Sequence, residues 1–229
     1  MARPDADRRR AFVLAAMLPS LAAASGWPEV ALPDGTNAAE VASHMIYNGT
    51  DMHSQIFTSA LKADDVVKYY RDLWDGQSVL STVDGWQIVG HREGDFFVTV
   101  QIRTEGGGSR GDIGVTRIPK EKVTVELGKG VPHPANTLVF NDIAYPDDAT
   151  PARTVAMSNG LSVQQNASFY RGQFAASGWK PAQVSPCATS APACVMSYEQ
   201  GDRKLTLMLS RNGARSDIVI NMMGEGVIQ

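Results

Sequence analysis

The two cysteines of this 229-residue chain are its residues best placed to do chemistry on each other. Cys187 and Cys194 bracket six residues, Ala-Thr-Ser-Ala-Pro-Ala. A redox dithiol keeps two residues between its sulfurs and a zinc knuckle two to four, so neither fits this spacing. A disulfide does, and closing so short a loop is worth roughly 2–3 kcal/mol by chain entropy. The histidines, His44, His53, His91 and His133, form neither H-x-x-x-H nor H-E-x-x-H, so no single helix offers two imidazoles to one metal. His44, His53 and Asp51 are the one candidate metal set, and ordinary surface or turn positions suit these residues better. Asp95 and Asp202 each follow a glycine, and Asp112 and Asp217 each precede an isoleucine. Carboxylates in pairs can share acid–base work if they converge, but these settings suit turns and hairpin entry.

Other motifs are weaker. Gly106-Gly107-Gly108-Ser109-Arg110-Gly111 matches G-x-G-x-x-G in letters only. A dinucleotide site needs a helix after that loop to meet the pyrophosphate, and Asp112–Arg117 reads as a strand. The glycine run therefore reads as a hairpin turn over Glu105–Gly111. On such a turn Arg110-Gly111-Asp112 spells an integrin-type tripeptide, the basis of an adhesin reading. Asn48-Gly49-Thr50 and Asn166-Ala167-Ser168 match the glycosylation sequon. There is no Walker loop or EF-hand loop. The expectation is a disulfide between Cys187 and Cys194, with no catalytic, cofactor-binding or metal residue assigned.

The N-terminus bears on compartment. Arg3, Arg8, Arg9 and Arg10 precede an apolar run from Ala11 to Ala24, which ends in small residues at Ala22-Ala23-Ala24-Ser25. Basic start, short apolar stretch and small-residue exit predict a cleaved signal peptide over 1–25, and Arg9-Arg10-Ala11-Phe12-Val13 also fits a twin-arginine type. Export to the periplasm or beyond agrees with the disulfide. Without residues 1–25 the chain keeps 17 basic against 22 acidic residues, a formal charge of −5. That argues against nucleic acid as a partner. No later apolar run reaches the roughly 20 residues of a membrane span.

The elements that would position any site come in two sets. Lys68-Tyr69-Tyr70-Arg71 recurs as Ser168-Phe169-Tyr170-Arg171, and Gly94-Asp95 as Gly201-Asp202. A helix over Lys62–Asp75 buries Val66, Val67, Tyr70, Leu73 and Trp74; a second, over Ser162–Ser177, buries Val163, Ala167, Tyr170 and Phe174. Strict alternation in Phe96–Arg103 and Lys204–Ser210 marks half-buried strands. The expected fold class is α+β: tandem duplicated β-α-β-β-β-β modules, each a helix on an antiparallel sheet. The first occupies 26–118 behind a lead-in with a turn of helix at Ala38–Ser43. A linker over 119–151 carries an apolar island at Leu138–Ile143, and the second module is 152–229. The helix offset is 100 residues and the Gly-Asp offset 107, so the cysteine loop reads as an insertion in the second module. This element order is similar to that of TATA-binding-protein-like and helix-grip modules, and order alone implies no function.

The function expected from these features is an exported, non-enzymatic binding or assembly protein of the bacterial cell envelope. It would engage a protein partner through sheet faces or edges, with no cofactor and no stable membrane insertion. The alternative is a periplasmic small-molecule binder or hydrolase working in the groove between the modules.

Overall fold

The computed structural model describes residues 26–121, 124–184, 187 and 191–227; the expected signal peptide lies outside them. Its twelve strands form one antiparallel sheet. In chain order these are β1 (Thr36–Tyr47), β2 (Thr50–Ser59), helix α1 (Ala63–Leu73), β3 (Val79–Val83), β4 (Trp86–Glu93), β5 (Phe96–Glu105) and β6 (Gly108–Arg117). There follow β7 (Leu138–Tyr145), β8 (Ala152–Asn159), helix α2 (Val163–Ala176), β9 (Lys180–Val184), β10 (Ala193–Gln200), β11 (Arg203–Asn212) and β12 (Arg215–Met223). Across the sheet the order is β3-β4-β5-β6-β2-β1-β7-β8-β12-β11-β10-β9. Each half therefore runs β-β-α-β-β-β-β, and the halves meet where β1 pairs with β7.

Each half carries one strand more than the sequence predicts. The expected turn of helix at Ala38–Ser43 is instead part of β1, and the apolar island of the linker is β7. Neither strand needs strong β-propensity, because each is held by a hairpin. At the tip of the first, Asn48 and Gly49 take φ of 48° and 79°, the left-handed pair that a tight hairpin needs and that Asn-Gly adopts readily.

The helices show the expected faces, with two exceptions in α1. Val66, Val67 and Tyr70 are buried, Leu73 is exposed and Trp74 is intermediate. In α2, Val163, Ala167, Tyr170 and Phe174 are all buried. Ser162 caps α2 through a reciprocal bond with Gln165, while Lys62, at the start of α1, provides no side-chain cap. Paired residues share a face, so the registers Phe57↔Gly111, Ile46↔Asp51, Ile46↔Ala144, Ala144↔Arg153 and Ile218↔Met157 carry one face across the sheet. Both helices lie on that face, over two core clusters. One centres on Phe57, Val98, Val100 and Ile102, the other on Met157, Leu205, Leu207 and Leu209.

The glycine run of β6 is mostly not a turn. Only Gly106 and Gly107 form the hairpin tip, both at positive φ. Gly108 and Gly111 belong to the strand, where an added Cβ would collide with the carbonyl of Ser59 and with the Phe57 ring, respectively. Glycine stands there because another group lies against its backbone.

Candidate functional site

The disulfide forms as expected. Cys187 and Cys194 are buried with Cα atoms 5.4 Å apart and are part of the second core cluster. They tie the connection between β9 and β10, where the first half has only the two-residue turn Asp84-Gly85 between β3 and β4.

Of the candidate metal set, His44 and Asp51 meet, while His53 is engaged elsewhere. On β1, His44 Nε2 lies 3.2 Å from Asp51 Oδ1 and its Nδ1 2.7 Å from Asp147 Oδ2, beyond β7. Both ring nitrogens face carboxylates, an arrangement across the seam that favours the protonated imidazole. The hydrogen bond to Asp147 is the main reason its pKa is raised above 6.5. His53 stacks on Trp27, with ring centroids 3.9 Å apart. Burial, then the charge of His44, lowers its pKa. Among the described residues no group of three or more His, Cys, Asp or Glu is arranged to hold a metal. His91 meets the carbonyl of Gln77 at 2.6 Å, and His133 that of Pro134 at 3.3 Å.

The structure disperses the remaining sequence candidates. Asp95 and Asp202 occupy turns in opposite halves, and Asp95 pairs with Lys120 at 3.6 Å. Asp112 and Asp217 lie inside β6 and β12 rather than at their starts; Asp217 accepts from Asn212 at 2.7 Å. Arg110-Gly111-Asp112 is in β6, paired on both sides by β2 and β5, so it is not a loop tripeptide. The Asn48 side chain is tied to β7, accepting from Asp142 N and donating to Phe140 O. Asn166 is buried and exchanges amide hydrogen bonds with Asn159 at 2.8 and 3.0 Å. Neither asparagine is a free glycan acceptor.

Sequence reasoning missed the buried ion pair of the second half. Arg153 donates to both oxygens of Asp142, at 2.8 and 2.7 Å, and to the carbonyl of Lys129 at 3.1 Å. Burial pushes the Asp142 carboxyl up, but hydrogen bonds from Arg153 and Gly128 outweigh it and leave its pKa lowered. Only the recognition of β7 as a strand would have placed Asp142 beside Arg153.

What remains unoccupied is surface. Alternation along the strands turns Ile56, Phe97, Val195 and Met208 away from the helices, and all four are exposed. At one edge of the sheet β3 exposes every residue, with Val79 66%, Leu80 47% and Val83 54% exposed. At the other edge, β9 begins with Lys180-Pro181, and its pairing with β10 is irregular near Ser197 and Tyr198. Lysine, proline and local irregularity are the usual guards of a sheet edge; β3 has none of them. Five surface depressions of 360 to 660 Å³ each lie within one half rather than at the seam. No described helix is long and apolar enough to cross a membrane. Comparison with known proteins returned no matching family model, no similar curated protein and no similar solved structure.

Proposed function

We propose that this chain is an exported binding or assembly protein of the cell envelope that takes a strand of a protein partner onto β3. The unguarded edge carries the reading. Five consecutive residues, Val-Leu-Ser-Thr-Val, offer main-chain donors and acceptors on their unpaired side and no charge to repel an incoming strand. Main-chain bonds would supply affinity, and Val79, Ser81 and Val83 on the open face would select apolar side chains at alternate partner positions. The basic, apolar N-terminus and the disulfide support export to an oxidising compartment.

The two halves are read as copies of one unit, with the same element order and mirrored strand order. Their ring geometry supports this. Tyr69 and Tyr70 meet edge to face at 5.1 Å and 86°, as do Phe169 and Tyr170. Tyr70–Trp74 and Tyr170–Phe174 repeat at 5.3 and 5.5 Å. The second copy, with its guarded edge, completes the scaffold while the first receives the partner.

Capture from envelope extracts with the wild-type chain and with Val79→Lys/Val83→Lys tests the reading. Both valines are exposed, so the variant should fold. A partner held by the wild type and lost by the variant is expected. Equal capture by both, or no capture alongside turnover in a substrate screen, would contradict it.

A further inference from the structure

The same end of the core is finished differently in the two halves. In the first, the lead-in residue Trp27 stacks on His53 and sits 5.0 Å from Phe96, the first residue of β5. The Arg117 guanidinium lies 4.9 Å from the Trp27 ring and 4.8 Å from Phe96. Four side chains thus plug that end. In the second half the first residue of β11, again just after a Gly-Asp turn, is Arg203. Its neighbour on the outgoing strand side is Gly224, where an added Cβ would come within 3.1 Å of Arg203. The lead-in contributes Lys129, Gly130, Val131 and Pro132 and no aromatic plug.

A cavity of 360 Å³ remains, at the small end of the ligand-pocket range of about 300–1,000 Å³. Its apolar wall includes Phe174, Trp179, Leu205, Ile220 and Met222, and its charged lining is Lys129, Arg153 and Arg203, with no carboxylate. Arg153 is committed to Asp142. Arg203 is not neutralised: its guanidinium lies 5.5 Å from the Trp179 ring and donates to the neutral Gln200 amide, with no described carboxylate in ion-pair reach. The depression beside the C-terminus of α1 is lined by Glu29, Asp75 and Glu93 and no Lys or Arg. In a chain of net negative charge, a cationic apolar cavity is a local selection for one sign of ligand.

We infer that this cavity binds a compact apolar monoanion, its carboxylate on Arg203 and Lys129 and its hydrocarbon against Phe174, Leu205 and Ile220. The site lies in the half opposite β3 and is independent of partner capture there. Calorimetric titration of the full chain with decanoate, decanol and decyltrimethylammonium tests it. Saturable binding of one decanoate per chain is expected, with decanol weaker and the cation absent. Arg203→Gln removes the charge and Arg203→Phe restores the plug of the first half; each should weaken decanoate by roughly tenfold or more. Circular dichroism and the melting transition show whether the variants remain folded. No saturable heat at millimolar decanoate, equal binding of the cation, or folded Arg203 variants that bind as the wild type does would overturn the proposal. So would binding that appears only when the chain is shortened to Val227, since the chain's own terminus would then be the occupant.

Discussion

The two halves of the sheet solve the same packing problem with different residues. In the first, Phe57 on β2 faces Gly111 on β6; in the second, Met157 on β8 faces Ile218 on β12. The ring of Phe57 lies over a glycine that leaves room for it, whereas Met157 shares the space with a full isoleucine. Beside these pairs, His44 of the first half reaches across the seam as a titratable bridge between Asp51 and Asp147. The second carries a buried ion pair, Arg153 with Asp142, whose side chains are only 7% and 13% exposed. The second half also has the disulfide, the capped helix and the guarded edge. The first has an uncapped helix, an open edge and the buried Tyr70 hydroxyl with no partner. The second half is thus the more reinforced and the first the more exposed, and the proposal places a partner strand on the exposed one.

The core pair offers the largest effect. Ile218→Ala should cost about 2–5 kcal/mol, as for other fully buried aliphatic truncations. Gly111→Ala, a change in the opposite direction at the facing position, should cost about 1–3 kcal/mol by overpacking. Phe57→Leu should recover part of the second loss and none of the first, measured by urea unfolding. If Gly111→Ala is harmless alone, the two halves are not packed as described.

The staple comes next. Replacing Cys187 and Cys194 by serine should remove about 2–3 kcal/mol. Because both sulfurs sit in the core of the second half, hydrogen exchange should speed up there first, in β10 and β11 rather than in β4 and β5. Uniform loss of protection across the sheet would show the halves to be one cooperative unit.

The smallest effect is electrostatic and centres on two histidines of the first half, one of which bridges the seam. His44 has a raised pKa, so its bridge contributes stability fully below the ordinary value of 6.5 and loses it as pH rises through the raised pKa. His53 has a lowered pKa, so its contribution runs the other way: it is present above 6.5 and lost as pH falls through the lowered value. Imidazole NMR should find His44 titrating above His53, and Asp147→Asn should bring the two closer. Coincident titration would remove the bridge from the seam.

Much of this architecture could be read from residue order, and the exceptions have physical causes. The faces of α2 and the alternation in β5 and β11 are local patterns, and burial follows them. The Ala- and Glu-containing sequence of β1 obscures it, although Asn48-Gly49 is a hairpin signal as well as part of a sequon. β7 was hidden among prolines and aspartates. The glycines at 108 and 111 resemble turn residues because their constraint comes from paired strands: Ser59 and Phe57 approach from some fifty residues earlier, and the Gln101 carbonyl from β5 also crowds Gly111. At the seam, His44 meets a residue 103 positions away, a distance over which spacing carries no information. Arg203 as a cavity cation was equally hidden, since its meaning depends on Phe96 filling the corresponding place.

Site-specific photo-crosslinking in intact cells tests the central claim most directly, with the reactive side chain at Leu80 on β3 and, for comparison, at Ala182 on β9. A discrete adduct with an envelope protein from Leu80 and none from Ala182 is predicted. Adducts from Ala182 alone, or from neither edge, would contradict a partner strand on β3.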